Sequence, residues 1–185
     1  MNEMDFEEKV QSTKRVFTGH LIQVDVQDVV TPKHQAAKRE IVRHVPSIGL
    51  LMINDDNEML LEKQWRAPVA SVSIEIPAGK LDDRDNGDPR HAAMREMNEE
   101  TRLTADHLEK ITGAYSSIGF CDEYMTIYMA TGLHPVANEL PQDADEEIKR
   151  FTVSQKEALQ MVKDGKINDM KTVLAIFYWA SLNKD

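Results

Sequence analysis

Three glutamates and an arginine crowd into the seven-residue stretch "REMNEET", residues 95–101. Residues three and four apart share one face of an α-helix, so Glu96 would lie beside both Glu99 and Glu100. Like charges spaced in this way destabilise a helix by about 0.2–0.5 kcal/mol per pair, and glutamates in the last turn also oppose the helix dipole. These penalties are small, so a solvated acidic face is one interpretation of the stretch.

The second interpretation is that these carboxylates bind a divalent cation. Mg²⁺ prefers oxygen ligands and keeps several of its waters, so clustered carboxylates that face a phosphate suit it well. Residues that break local rules without structural gain are candidates for function. The stretch therefore predicts a site for Mg²⁺, or for Mn²⁺ in its place, at Glu96, Glu99 and Glu100. Arg95 would orient a carboxylate through charge-assisted hydrogen bonds.

The helix that carries these carboxylates has a clear start. Asp88 offers a side-chain acceptor at the N-cap, and Pro89 suits the first helical position. We expect this helix to continue to about Thr101. Two later helices are predicted to begin near Ser154, which has a glutamate three residues on, and near Asp169.

Alternation of apolar and polar residues predicts the strands. They lie in "LIQVDVQDVV", "REIVRHV", "IGLLMI", "MLLEKQW", "SVSIEIP" and "YMTIYMA". The third and fourth flank "NDDNE" and are predicted to form a hairpin, and a polar, Asp-rich loop follows the fifth at residues 80–87. Strands interleaved with three helices imply an α/β or α+β layered domain, in which the first 45 residues could form a separate small sheet.

Composition narrows the class of protein. A chain of 185 residues fits one compact domain, or one domain with a small appendage. The net charge of −10 disfavours nucleic acid, although a small phosphate-bearing ligand could still bind through cations. No apolar run reaches the roughly 18 residues of a membrane helix, and "MNEMDFEEKV" is unlike a targeting segment. The single Cys121 allows no internal disulfide, which favours the cytoplasm. Taken together, these features predict a cytoplasmic protein without nucleic-acid or membrane partners.

The acidic helix and the loop before it carry a family resemblance. The segment "IPAGKLDDRDNGDPRHAAMREMNEETRL", residues 76–103, resembles the box of the Nudix hydrolases, a loop–helix–loop. The matching residues are Gly79, Arg95, Glu96, Glu99, Glu100 and Leu103. The segments "EKQWRAPV", "SIGFCDEYMTIYMATGL" and "DGKINDMKTVLAIFYW" are similar to the ADP-ribose pyrophosphatase branch, in family order, from about residue 15 to 182.

This resemblance implies a fold and an activity. The fold would be an α/β/α sandwich around a mixed β-sheet, with a small N-terminal antiparallel sheet. Residues 1–45 would form a dimerising β segment and residues 46–185 the hydrolase domain of a homodimer. The activity would be Mg²⁺-dependent hydrolysis of the pyrophosphate bond of ADP-ribose or a related ADP-sugar to AMP and a sugar phosphate. The alternatives are hydrolysis of another nucleoside diphosphate derivative, or a ligand sensor with weakened catalysis.

The resemblance also assigns roles to the acidic residues. Glu96 and Glu100 would bind the metal, with Glu99 nearby and the carbonyl of Ala78 completing the ligands. A general base is expected in the later acidic run "DADEEIKRF", with Glu146 as first choice, also close to the metal, and its neighbours Asp145 and Glu147 as alternatives. The expected catalytic residues are Arg95, Glu99, Glu100 and Glu146.

Further residues are expected to bind the substrate. Arg66 resembles an arginine that contacts the diphosphate or its ribose, and Glu75 would support the metal loop. The loop with Ser117, Gly119 and Glu123 resembles one that contacts the terminal ribose. Phe17 is a candidate for stacking on the base, because aromatic faces suit planar purines. Without these roles, Arg66 would be a surface arginine, the loop a plain turn that enters a strand, and Phe17 a core or interface residue.

The chain departs from the family pattern at four places. Gly87 replaces a glutamate expected eight residues before Arg95, and Gly79 is two residues further from Arg95 than usual. Arg102 replaces a late glycine, and Ile118 stands where the branch usually has proline. The lengthened loop contains four candidates to replace the missing glutamate: Asp82, Asp83, Asp85 and Asp88.

Overall fold

The chain divides into two compact units. The computed structural model describes residues 3–142 and 147–182. One unit comprises Met1–Val45 together with Tyr115–Tyr124, and the other comprises Pro46–Ala114 together with Met125–Asp185. The sequence indicated a change of character near residue 45, but nothing in it indicated that residues 115–124 return to the first unit.

The first unit is built on an antiparallel sheet with strand order β1-β2-β3. Its strands are β1 (Lys9–Thr18), β2 (Gln23–Val30) and β3 (Ala36–Arg43). Every residue of β1 is exposed, and Val10, Val16 and Phe17 each keep 52% of their surface accessible. This strand therefore presents apolar side chains that the described part of its own unit does not cover.

The segment Tyr115–Tyr124 is attached to the end of β3. The Val42 amide donates to the Phe120 carbonyl at 2.7 Å, and the Asp122 amide donates to the Val42 carbonyl at 3.1 Å. The guanidinium of Arg43 donates to the Asp122 carboxylate at 2.9 Å. Backbone and side-chain bonds together make this segment an extension of the N-terminal sheet.

The second unit contains two sheets. Its strands are β4 (Ser47–Met52), β5 (Glu58–Arg66), β6 (Ser71–Glu75), β7 (Ala78–Lys80), β8 (Leu103–Tyr115), β9 (Tyr124–Pro135) and β10 (Lys149–Ser154). One sheet has the order β7-β4-β9-β8 and is mixed, because β4 runs parallel to β9 and antiparallel to β7. The other has the order β10-β5-β6 and is antiparallel.

Three α-helices complete the second unit. They are α1 (Pro89–Glu96), α2 (Gln155–Lys163) and α3 (Met170–Leu182). The expected helix starts are confirmed, since Asp88 accepts a hydrogen bond from the Arg90 amide and Ser154 forms a capping box with Glu157. Among the described residues, no helix combines the length and apolar character that crossing a membrane requires.

Strand β4 lies between two apolar cores. All six of its residues are buried. On one face, Ile48, Leu50 and Met52 belong to a cluster that includes Ala92 of α1. On the other face, Leu51 belongs to a cluster with residues of α2 and α3. Successive strand residues point to opposite faces, so α1 and the α2–α3 pair cover the two sides of β4, and the expected α/β/α arrangement is confirmed.

The predicted hairpin forms only its turn. Ile53 and Met59 pair as an isolated bridge around the turn, but β4 and β5 then enter different sheets. Strand β4 takes β7 and β9 as neighbours, so β5 pairs with β6 and β10 instead. An apolar run predicts a buried strand without specifying its partners. The sequence also missed three strands: β1, β7, which is three residues long, and β8, whose residues do not alternate clearly.

Candidate active site

The acidic helix does not end as a regular α-helix. Helix α1 stops at Glu96, and Met97–Thr101 form a π-helical turn, so the prediction of an α-helix to about Thr101 is wrong in the last turn. Glu99 and Glu100 lie in this π turn and are only 7% and 6% exposed. A solvated acidic face is therefore excluded for these two residues. Single π turns are frequent at functional sites.

Arg95 is the centre of the carboxylate cluster. Its guanidinium donates to Asp85 at 2.8 and 3.0 Å, to Glu96 at 2.8 Å and to Glu99 at 2.7 Å. A further bond reaches the carbonyl of Lys80 at 3.0 Å. Burial by itself would lower the pKa of Arg95, but the hydrogen bonds to Asp85 and the glutamates and the charge of Glu96 hold the pKa well above its usual value.

Asp85 supplies a buried carboxylate to Arg95, which makes it the candidate among the four aspartates to replace the glutamate missing at position 87. Its residue surface is 1% exposed, and its hydrogen bond to Arg95 is the main cause of its lowered pKa. Asp85 ends a short 3-10 turn whose capping box it forms with Asp82. Gly87 itself has φ of +74°, a conformation that a glutamate would adopt only with strain. Of the four aspartates in the lengthened loop, Asp85 is the one that binds Arg95 bidentately.

A second arginine reaches the cluster from the Asp-rich loop. Arg84 donates to Glu99 at 2.8 Å and binds Asp82 through two nitrogens at 2.6 and 2.9 Å. The hydrogen bond from Arg84 is the main reason that the pKa of Asp82 falls to about 2. The sequence reasoning missed Arg84, although its position among four aspartates was a signal that it would be paired.

Strand β7 brings the backbone to the carboxylates. The Ala78 amide donates to the Glu100 carboxylate at 3.1 Å. At Gly79 the approach is closer still, since a Cβ placed there would lie 2.0 Å from Glu96 Oε1. A side chain at position 79 would therefore displace the Glu96 carboxylate, and the absence of one lets Ala78, Glu96 and Glu100 lie close together.

The donor set of this cluster fits a hard divalent cation. Glu96, Glu99, Glu100 and the Ala78 carbonyl offer only oxygen atoms, which Mg²⁺ and Mn²⁺ prefer. The surrounding cluster holds five carboxylates and two guanidinium groups, so negative charge is in excess. Within residues 3–142 and 147–182, however, no three acidic, histidine or cysteine side chains are grouped as metal ligands. Both oxygens of Glu99 accept from arginines, so binding a metal there requires an exchange of partners.

The partly exposed Arg66 and the buried Glu75 form an ion pair on neighbouring strands. The guanidinium donates to both carboxylate oxygens, at 2.7 and 2.8 Å. Lys171 of α3 donates to the same carboxylate. Burial would raise the pKa of Glu75, but the two cations outweigh it and lower the pKa to about 2. The sequence reasoning proposed Arg66 and Glu75 separately and missed Lys171.

The remaining substrate candidates lie in the first unit. Ser117 accepts backbone hydrogen bonds from Phe120 and Cys121, so the loop is a tight turn. A Cβ at Gly119 would meet nothing within 4 Å. Glu123 lies 3.8 Å from His44, measured between a carboxylate oxygen and Nδ1. Phe17 projects from β1 and is half exposed, so it is not a core residue of the described chain.

Glu146, the first choice for a general base, lies outside the described residues, as does the alternative Asp145; the other alternative, Glu147, is described and exposed. Arg102 lies at the end of the π turn with φ of +62°, the conformation that explains a glycine in the family pattern. Its guanidinium donates to the Leu140 carbonyl, and Asn98 donates to the Asn138 carbonyl at 2.9 Å. The arginine thus adds a bond to residues 138–140 that glycine could not make.

Comparison with known proteins agrees with this geometry. The profile described as "NUDIX domain" matches residues 43–175, well over half of the chain. A "Methanol dehydrogenase activator" from Bacillus methanolicus is 38% identical over 94% of this chain and 92% of its own length. An "ADP-ribose pyrophosphatase" from Bacillus subtilis is 37% identical over 93% and 92% respectively.

A solved structure supports the fold independently. The "Crystal structure of ADP compounds hydrolase" superposes with a TM-score of 0.82, covering 92% of this chain and 91% of the other at 20% identity. At that identity the likeness concerns the fold alone. The matched profile, the two relatives and the Arg95-centred carboxylate cluster lead to one conclusion: the chain belongs to the Nudix family.

Proposed function

We propose that this protein hydrolyses the pyrophosphate bond of ADP-ribose or a related ADP-sugar, with AMP and a sugar phosphate as products. One observation carries the proposal. The buried carboxylates at the end of α1 meet the Ala78–Gly79 backbone, in a chain 37% identical to an ADP-ribose pyrophosphatase. A pyrophosphate diester is anionic and resists attack by water, so a cluster that can concentrate cations suits its hydrolysis.

The proposed metal is Mg²⁺, with Mn²⁺ as an ion of similar preference. Glu96, Glu100 and the Ala78 carbonyl would hold it, with Glu99 close by. When bound, the cation neutralises the diphosphate and lowers the pKa of the attacking water. Arg95 keeps the carboxylates in place by bonding Glu96 and Glu99 while Asp85 secures the other side of its guanidinium.

Arg66 is proposed to bind the diphosphate. Its side chain remains 39% exposed although Glu75 holds two of its nitrogens. A guanidinium held in this way offers its remaining hydrogens to phosphate oxygens at fixed positions. Ser117, Gly119 and Glu123 are proposed to contact the terminal ribose, and Phe17 to stack on the base.

Glu146 is proposed as the general base that accepts a proton from the attacking water. The support is the resemblance of "DADEEIKRF" to the acidic loop of the ADP-ribose pyrophosphatase branch. Glu146→Gln should slow hydrolysis strongly and leave KM nearly unchanged, because the amide cannot accept that proton. Wild-type turnover in this variant would transfer the role to Asp145 or Glu147.

A substrate panel tests the proposed function. Purified protein is incubated with Mg²⁺ and ADP-ribose, other ADP-sugars and sugar derivatives of other nucleoside diphosphates, and nucleoside monophosphate is measured. We expect ADP-ribose among the best substrates. Preference for another nucleoside diphosphate would favour the alternative substrate class, for which the 81% exposed Ile118 in the proposed ribose loop is a reason. Inactivity on all compounds, with binding retained, would favour a ligand sensor.

We further propose a cytoplasmic homodimer. The support for a dimer is strand β1, on which Val10, Val16 and Phe17 are each 52% exposed. A three-stranded sheet with exposed apolar side chains on an outer strand gains stability by docking elsewhere. The support for the cytoplasm is the single Cys121, which leaves no internal disulfide. Light scattering of wild-type protein and a Val10→Lys, Val16→Lys variant would test the dimer, which the lysines should dissociate.

The relative named a methanol dehydrogenase activator supports a second candidate function. At 38% identity over 94% of the chain, it is as similar to this protein as the pyrophosphatase. The proposal is that this chain also raises the rate of an alcohol dehydrogenase. Methanol oxidation by a purified methanol dehydrogenase, measured with and without this protein and Mg²⁺, would reveal such an effect. An unchanged rate would remove this candidate without affecting the hydrolase.

A further inference from the structure

Lys171 lies where a helix disfavours a cation. Helix α3 begins at Met170, so Lys171 belongs to the first turn, at the positive end of the helix dipole. Its side chain is nevertheless only 13% exposed. A long cationic side chain buried at this end of a helix needs specific partners.

Two carboxylates supply those partners. Lys171 Nζ donates to Glu75 and lies 3.1 Å from the carboxylate of Asp169. Asp169 also caps α3, since the amide and hydroxyl of Thr172 donate to it at 3.1 and 2.6 Å. The first turn of α3 is thus organised around one carboxylate of its own and one from β6.

The same turn is bonded to the strand that leads into the metal loop. The Ile76 amide donates to the Thr172 hydroxyl at 2.9 Å, and Thr172 is completely buried. Together with the bond from Lys171 to Glu75, this fixes two consecutive residues just ahead of Pro77 and Ala78. The N-terminus of α3 therefore holds the end of β6 at both a side chain and the backbone.

Glu75 transmits this restraint to Arg66. One oxygen, Oε1, accepts from Arg66 Nε, while Oε2 accepts from both Arg66 Nη2 and Lys171 Nζ. A carboxylate with cations on two sides cannot rotate freely, so the plane of the Arg66 guanidinium is fixed as well. Within the described part of the chain, Arg66 Nη1 makes no hydrogen bond, and it is the nitrogen available to a ligand.

We propose that Lys171 is a positioning residue for Arg66, and that through Glu75 it sets the geometry with which Arg66 binds the diphosphate. This role rests on the proposed function. Without Lys171, Glu75 and Arg66 remain paired but can turn together, and the guanidinium no longer meets phosphate oxygens at a fixed angle. Removing Lys171 therefore weakens substrate binding and leaves the chemical step unchanged, because the carboxylates at the end of α1 keep their own partners.

The experiment compares Lys171→Met with wild type in ADP-ribose hydrolysis with Mg²⁺. We expect KM to rise about tenfold while kcat stays within about threefold, the pattern of lost binding that does not alter the chemical step. Lys171→Arg, which can still reach Glu75, should restore a KM near that of wild type. Lys166→Met is the matched control, since Lys166 is exposed and, among the described residues, forms an ion pair with Asp164 alone, and it should change neither constant.

A double-mutant cycle separates this role from a general structural one. If Lys171 acts through Arg66, then Lys171→Met should add no further increase in KM to Arg66→Ala. Independent, multiplicative increases in KM would overturn the positioning role, and so would an unchanged KM in Lys171→Met. Should the methionine variant fail to fold, Lys171→Gln keeps a donor without the charge and is expected to show an intermediate KM.

Direct binding distinguishes failure of this role from failure of the proposed function. ADP-ribose is titrated calorimetrically into wild-type and Lys171→Met protein without added metal. If wild type binds without turnover, the variant should still bind about tenfold more weakly, and equal affinity would overturn the role alone. Wild-type protein that neither binds nor hydrolyses ADP-ribose would overturn the proposed function and the role together.

Discussion

Gly79 lies directly against the carboxylate of Glu96. A Cβ at position 79 would fall 2.0 Å from Oε1 and 2.1 Å from the carboxyl carbon of Glu96. Contacts this short require the neighbour to move. Glu96 keeps its place beside β7, and its hydrogen bond from Arg95, because position 79 lacks a side chain; the neighbouring Ala78 amide donates to Glu100.

Gly79→Ala should therefore destabilise the protein through overpacking. We expect a loss of about 1–3 kcal/mol in the free energy of unfolding, measured by urea denaturation. The same substitution in a Glu96→Ala background should cost much less, because the clashing side chain is gone. An equal loss in both backgrounds would show that Gly79 is required for another reason.

Glu100→Gln should reduce kcat for ADP-ribose by at least about 100-fold, because the proposed metal site loses a negative charge. The measurement is steady-state release of AMP in the presence of Mg²⁺. Glu109→Gln is the control, since Glu109 is exposed on β8 and outside the cluster, and it should retain wild-type turnover. Full activity of the Glu100 variant would remove this residue from the proposed metal ligands.

Asp85→Ala should destabilise the protein by about 1.5–3 kcal/mol, because Arg95 loses two charge-assisted hydrogen bonds although it keeps those to Glu96 and Glu99. Asp83→Ala changes an exposed aspartate of the same loop and should be within about 0.5 kcal/mol of wild type. Thermal unfolding of both variants checks this difference. Similar melting temperatures for the two would show that Asp85 does not replace the missing glutamate.

The ion pairs of Glu75 with Arg66 and Lys171 should make the stability of the protein depend on pH in the acid range. The pKa of Glu75 is about 2 in the folded protein and 4.5 as its ordinary value, so the unfolded chain binds the proton more readily. Ionised Glu75 therefore contributes up to about 3 kcal/mol to the free energy of unfolding. This contribution is complete above about pH 5.5 and is lost as pH falls from 4.5 toward 2.

Urea midpoints of wild type and Glu75→Gln between pH 3 and 7 test this dependence. The difference in stability should be largest near neutral pH and shrink below about pH 4.5. A difference that stays constant across this range would mean that the charge of Glu75 contributes nothing.

Local sequence signals predicted the starts of the helices. The N-cap Asp88, the capping box of Ser154 and the acceptor Asp169 each act within one turn, and each is found in the structure. Alternation likewise predicted most strands. Pairing between strands depends on distant parts of the chain. For this reason the local sequence does not indicate that β4 and β5 enter different sheets after their turn.

The carboxylate cluster was predictable in its members but not in its geometry. The spacing of Glu96 and Glu100 suggested neighbours on a regular helix, whereas the π turn changes that relation. Asp85 was one of four candidates, and only the fold shows which one reaches Arg95. Lys171 did leave a signal, a cation in the first turn of a helix, but identifying its partner required the position of β6.

The membership of Tyr115–Tyr124 in the N-terminal unit matters for building chimeras between relatives. A chimera that swaps only residues 1–45 would separate Val42 and Arg43 from the loop they bind, replacing matched partners by foreign ones. The smallest part that can be exchanged with its contacts intact is discontinuous: residues 1–45 and residues 115–124 must be replaced together.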